Sequence, residues 1–105
     1  MDKILLVEDA PALIRMLSTF LTEEGFQICA VNGQTWANEA MNSNAFDLTL
    51  IDISLAEGNG FAVCSAAKRK GIPVIFLTAS TDEFSVVTGL DMGADDYISK
   101  PFRPR

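Results

Sequence analysis

The constraint that narrows this chain most is a regular alternation of short apolar runs with stretches of helical period. The runs are KILLV, FQICAV, LTLI, PVIFL and DYIS, each of strand length and rich in strand formers. After the first, Pro11 opens a pattern that places Leu13, Leu17, Phe20 and Leu21 on one face and closes at Gly25. Residues 34–43 form a weaker helix with Trp36, Ala37, Ala40 and Met41 on one side. A helix carrying Phe61, Cys64 and Ala67 follows EGNG and stops at Gly71. A further helix over 82–92, with Phe84, Val87 and Leu90, is introduced by a capping box from Ser80 to Glu83 and ends at Gly93. Such alternation predicts a doubly wound α/β fold, a parallel sheet with helices on both faces. Right-handed crossovers leave few topologies, and continuous apolar strands suit a sheet buried on both sides. No helical pattern follows DYIS before the chain ends in KPFRPR. The expectation is therefore one domain over 1–105 with its last helix missing, cut away or supplied by a partner.

The totals agree with a single soluble domain: 105 residues, 49% hydrophobic and 21% charged. No apolar run is long enough to span a membrane, and the acidic MDKILLVEDA start is unlike a signal peptide. A net charge of −6 argues against direct binding of nucleic acid, which needs a basic face. Cys29 and Cys64 are distant, there is no CxxC and no histidine, so neither a zinc site nor a disulfide framework is expected. Free buried thiols in a reducing cytoplasm are the plain reading.

One residue interrupts the third run. In LTLIDISL, Asp52 sits among apolar neighbours, where an ionised carboxylate is costly to bury without a partner. Ligands of open parallel sheets bind beyond the carboxyl ends of the strands. At those ends the first run leads into Glu8 and Asp9, the third into Asp52, the fourth into Thr78 and the fifth into Lys100. Two carboxylates about 5 Å apart repel by roughly 3 kcal/mol at an effective dielectric of about 20. Three of them call for protonation or a cation. Magnesium, a hard ion with oxygen ligands, suits them better than Lys100 alone and would neutralise an incoming phosphoryl group. A carboxylate such as Asp52 can attack that group and become an acyl phosphate. Thr78 can then donate a hydrogen bond to one phosphoryl oxygen and Lys100 can pair with another.

Each residue also has a plainer role. Glu8 and Asp9 suit a helix N-terminus, Asp52 a turn at a strand end, Thr78 a cap and Lys100 a solvated surface. Tyr97 suits a strand position with an apolar body and a wet hydroxyl. What favours chemistry is their joint placement at four of the five strand ends.

The segments LLVEDAP, DLTLIDISL, LTAS and GADDYISKPF, in this order and spread over nearly the whole chain, resemble the receiver domain of two-component response regulators. The resemblance implies a flavodoxin-like sheet of order 2-1-3-4-5. It implies Asp52 as phosphoacceptor, Glu8 and Asp9 as the acid pair holding Mg2+, and the backbone carbonyl of Ser54 as a further metal ligand. Thr78 would be the switch hydroxyl, Tyr97 the switch aromatic and Lys100 the lysine of the motif. Phosphorylation would draw Thr78 inward and let Tyr97 fill the space, changing a surface made by helix 82–92 and the fifth strand. The implied partner is a sensor histidine kinase or phosphotransfer protein in the cytoplasm, with no membrane contact.

Two departures stand out. Ala56 occupies the place where the family usually has proline, so a looser loop is expected after Asp52. Without a last helix, Leu13, Leu17, Phe20 or Leu21 would be partly uncovered, favouring a homodimer or exchange of elements between chains. The main alternative is a receiver-like interaction module that is no longer phosphorylated. An aspartyl-phosphate phosphatase fits poorly, because Ser54 stands where a second aspartate would act as general acid and no cap domain is present. The chain is thus read as a phosphoacceptor that assists its own modification, not as a free-standing enzyme.

Overall fold

In a computed structural model of the chain, β1 (Lys3–Val7), α1 (Pro11–Glu23), β2 (Gln27–Val31), α2 (Gln34–Ser43), β3 (Leu48–Asp52), α3 (Gly60–Arg69), β4 (Val74–Ala79) and β5 (Asp96–Lys100) follow one another. The structure describes residues 2–53, 55, 57–79 and 93–100, the last two residues of β4 and of β5 by their backbone only. The expected helix 82–92, its capping box and the segment after β5 lie outside the described residues.

The five strands form one sheet of order β2-β1-β3-β4-β5, every pair parallel. This is the doubly wound order expected from the sequence. Period two divides the strands between two cores. Leu5, Val7, Ile51, Val74 and Phe76 face α2 and α3, meeting Ala37, Met41, Val63, Cys64 and Ala67. Ile4, Leu6, Leu50 and Leu77 face the other way and meet Leu17 of α1. Helices on both faces keep β1 and β3 buried along their length, which is why these strands carry no polar alternation. Phe61 of α3 closes the first core with its ring edge on Phe76, centroids 5.5 Å apart.

Several details differ from expectation. Trp36 does not share the buried side of α2: it is 60% exposed, while Ala37 and Met41 are buried. Ala37 and Met41 join the core shared with α3, whereas the indole is turned outward, lining a cleft with Ile14 and Val31. Leu17 is buried against the sheet, whereas Leu13, Phe20 and Leu21 are half-buried. Of the two thiols, both free, Cys64 is buried and Cys29 only half-buried on the outer strand β2. Burial pushes the Cys64 thiol above its ordinary range, against a smaller opposing pull from Lys68.

The C-terminal half is tied together at Asp95. Its Oδ2 accepts from the Val74 amide at 2.8 Å and from Lys68 Nζ at 3.1 Å, and its own amide donates to Val74 O at 2.8 Å. One carboxylate thus joins the end of α3, the start of β4 and the approach to β5.

Candidate functional site

Strand order decides which residues can meet. β1 and β3 are neighbours with Val7 opposite Ile51, so Glu8 and Asp52, one residue further, come side by side at the carboxyl edge of the sheet. β4 lies on the other side of β3 with Leu77 opposite Asp52, and the Ile53 amide donates to Leu77 O at 3.1 Å. Thr78 is the next residue along β4. Lys100 ends β5 opposite Ala79. The backbone therefore brings all five expected positions to one edge over four adjacent strands. The side chains of Thr78 and Lys100, and all of Ser54, lie outside the described residues.

The acids are drawn together. One ligand oxygen each from Glu8, Asp9 and Asp52 lies within 4.8 Å of the others. Glu8 is fully buried, Asp52 is 4% exposed and Asp9 is half-buried. Local backbone explains the aim of Glu8. The chain turns sharply from β1 into α1, and Glu8 Oε1 accepts from the amides of Asp9 and Ala10 at 3.1 and 3.2 Å. Ala10, at the helix boundary, offers no capping side chain, and Pro11 has no N–H to satisfy. Glu8 thus serves the helix start, as the plainer reading holds, and belongs to the acidic trio as well.

Asp52 is placed by β3 and by a close return of the chain. A Cβ on Gly60 would stand 2.5 Å from the Asp52 carbonyl oxygen, so only glycine lets α3 begin against the strand end. The donor set is all oxygen, partly buried and uniformly negative. Those are the needs of a hard divalent cation such as magnesium, and the residues fit one. A soft metal would find no thiolate or imidazole here.

Tyr97 lies on β5 at the edge of the described sheet and is 42% exposed, as is its apolar neighbour Ile98 at 43%. Three residues not singled out from the sequence join the stretch before α3 to the start of α2: Gln34, Glu57 and Asn59. Asn59 had a local signal, being an asparagine just before a helix, and its Oδ1 accepts from the Phe61 amide at 2.8 Å. Glu57 and Gln34 had none, because their partners lie more than twenty residues away. Of the loop that carries Ala56, residues 57 and 59 are hydrogen-bonded to the start of α2, and residues 54 and 56 lie outside the described residues.

With sheet order and acidic edge in hand, the class follows: the chain belongs to the response regulator receiver domain family, which matches residues 4–105. It is 41% identical over 105 residues to DNA-binding response regulator MtrA of Mycolicibacterium smegmatis, covering 99% of this chain and 46% of that protein. The chain thus spans about half the length of the curated relatives it matches. Among solved structures, the receiver domain of TorR, response regulator of a TMAO respiratory system, superposes with a TM-score of 0.91 at 32% identity over 98% of this chain and 87% of that one. The receiver domain of sensor histidine kinase PA1611 from Pseudomonas aeruginosa PAO1 superposes with a TM-score of 0.86 at 26% identity, over 97% of this chain and 87% of that one, and is described with a magnesium ion coordinated in its active site cleft. Among the described residues no helix is long and apolar enough to cross a membrane.

Proposed function

We propose that this receiver domain is a phosphorylation-controlled switch in which Asp52 accepts a phosphoryl group with the help of Mg2+. The observation that carries the reading is the convergence of Glu8, Asp9 and Asp52 within 4.8 Å at one sheet edge. These three, with the Ser54 carbonyl, would hold the cation. Bound there, magnesium supplies positive charge that offsets the carboxylates and the phosphoryl oxygens. An Asp52 oxygen bonds to phosphorus while the phosphorus–nitrogen bond of a histidine kinase's phosphohistidine, or of a phosphotransfer protein's, breaks toward the imidazole. Lys100 pairs with one phosphoryl oxygen and Thr78 donates to another. Water later attacks phosphorus and returns the Asp52 carboxylate. The domain therefore takes part in its own modification as substrate, in the cytoplasm, and does not act as a free-standing enzyme.

The output is a population shift. Movement of Thr78 toward the phosphoryl group and of Tyr97 into the vacated space alters the surface of 82–92 and β5 read by a partner, an output domain or a second copy. Beryllofluoride with magnesium tests the reading, because it mimics a phosphoryl group on a carboxylate. The wild-type chain is expected to shift its amide spectrum and Trp36 fluorescence, and Asp52→Asn to stay still. No response in the wild type, indistinguishable from Asp52→Asn, would instead describe a module that only binds partners.

A further inference from the structure

We infer that Glu57 and Gln34 are positioning residues for Asp52, locking the loop that follows β3 onto the start of α2. The inference rests on the reading of the acidic trio as a magnesium site. Helix α2 is preceded by Gly33, which has no side chain to cap it. The cap comes from across the fold: Glu57 Oε1 accepts from the Thr35 amide at 3.0 Å, and Glu57 O accepts from the Gln34 amide at 3.1 Å. Gln34 answers in kind, its Oε1 accepting from the Asn59 amide at 2.9 Å. The exchange is a capping box divided between two distant segments.

Close approach makes the lock specific. A Cβ on Gly33 would stand 2.6 Å from Glu57 Oε1, and one on Gly58, at φ 87°, would collide with the Gln34 side chain. The locked loop runs between two fixed points. At one end the Ile53 amide is bonded to β4; at the other Gly60 lies against the Asp52 carbonyl and Asn59 caps α3. Holding 57–59 thus holds the start of α3, where Gly60 lies against the Asp52 carbonyl.

Releasing the lock lowers the fraction of chains with Asp52 in place, and the apparent dissociation constant for the cation rises by the reciprocal of that fraction. Loss of a helix cap lowers the ratio of locked to unlocked chains roughly 5-fold, so the apparent dissociation constant rises by a factor of up to about 5. Once the cation is bound the site is assembled, so the limiting rate of modification is left unchanged.

The test is calorimetric titration of magnesium chloride into the wild type, Glu57→Ala, Glu57→Gln and Gln34→Ala, alongside amide exchange at Thr35 and Asn59 and labelling by acetyl phosphate at varied magnesium. Expected are a magnesium affinity weakened by up to about 5-fold for Glu57→Ala and Gln34→Ala, faster exchange at Thr35 or Asn59, and equal labelling rates at saturating magnesium. Glu57→Gln, which keeps the acceptor oxygen, should match the wild type. Wild-type affinity in both alanine variants, or a Glu57→Gln variant as weak as Glu57→Ala, overturns the positioning role alone. A wild type that binds no magnesium overturns the metal reading and this inference with it.

Discussion

Replacing Asp52 with asparagine should stabilise the metal-free domain. Ligand oxygens of Glu8, Asp9 and Asp52 lie within 4.8 Å of one another. At that spacing and an effective dielectric of about 20, each like-charged pair repels by about 3 kcal/mol. Asp52 takes part in two of the three pairs. Asp9 is half-buried, so water screens its share, and the Asp9 and Ala10 amides that donate to Glu8 Oε1 offset part of the rest. Removing one charge with almost no change of shape should therefore gain about 1–3 kcal/mol net. For a domain of this size each kcal/mol moves the melting temperature by about 4–8 °C. Thermal and urea melts followed by circular dichroism in EDTA provide the assay, with an unchanged urea m-value as the control for a common unfolded state. Millimolar magnesium should then raise the wild type more than the variant and narrow the gap, because a ligand stabilises in proportion to its affinity for the native state. An asparagine variant that melts at or below the wild type in EDTA would refute the claim that these acids oppose folding to form a cation site.

Thr49 is fully buried on β3 between Leu5 and Val74, and its hydroxyl has no hydrogen-bond partner among the described residues. Thr49→Val, which keeps the shape and removes the unpaired group, should raise stability by about 1 kcal/mol in urea melts; a loss would mean that the hydroxyl is satisfied. Asp95 is held below the usual carboxylate range, first by the Val74 amide and then by Lys68. A depressed native value means a contribution present above the unfolded value of about 3.9 and lost as pH falls through the native one. Asp95→Asn, which keeps an acceptor for Val74, should therefore be less stable than wild type at neutral pH, by a margin that shrinks as the pH falls below about 3.9. A difference that does not change with pH would contradict this.

Much of the fold was legible because it depends on patterns that both partners write locally. The apolar runs announced β1 to β5, and Pro11, Gly25 and Gly71 bounded helices where the structure bounds them to within a few residues. Strand ends could be read for the same reason, and with them the meeting of Glu8, Asp9 and Asp52. Trp36 shows where pattern fails: a weak helix with four apolar candidates does not say which the neighbouring α3 leaves room for. Glu57 shows a different limit. Nothing near it in the chain reveals that its oxygen will cap a helix that starts more than twenty residues earlier, since that contact exists only once β3 and α2 are packed. Thr49 is similar, its cost visible only when the surrounding strands and helices have excluded water.

The most direct measurement is peptide-resolved mass spectrometry of the domain after incubation with acetyl phosphate, with magnesium or with EDTA. The expected result is a single phosphoryl adduct, on Asp52, that forms with magnesium, fails to form in EDTA and is absent from Asp52→Asn. An adduct on another residue, or labelling of Asp52 that is indifferent to the cation, would contradict it.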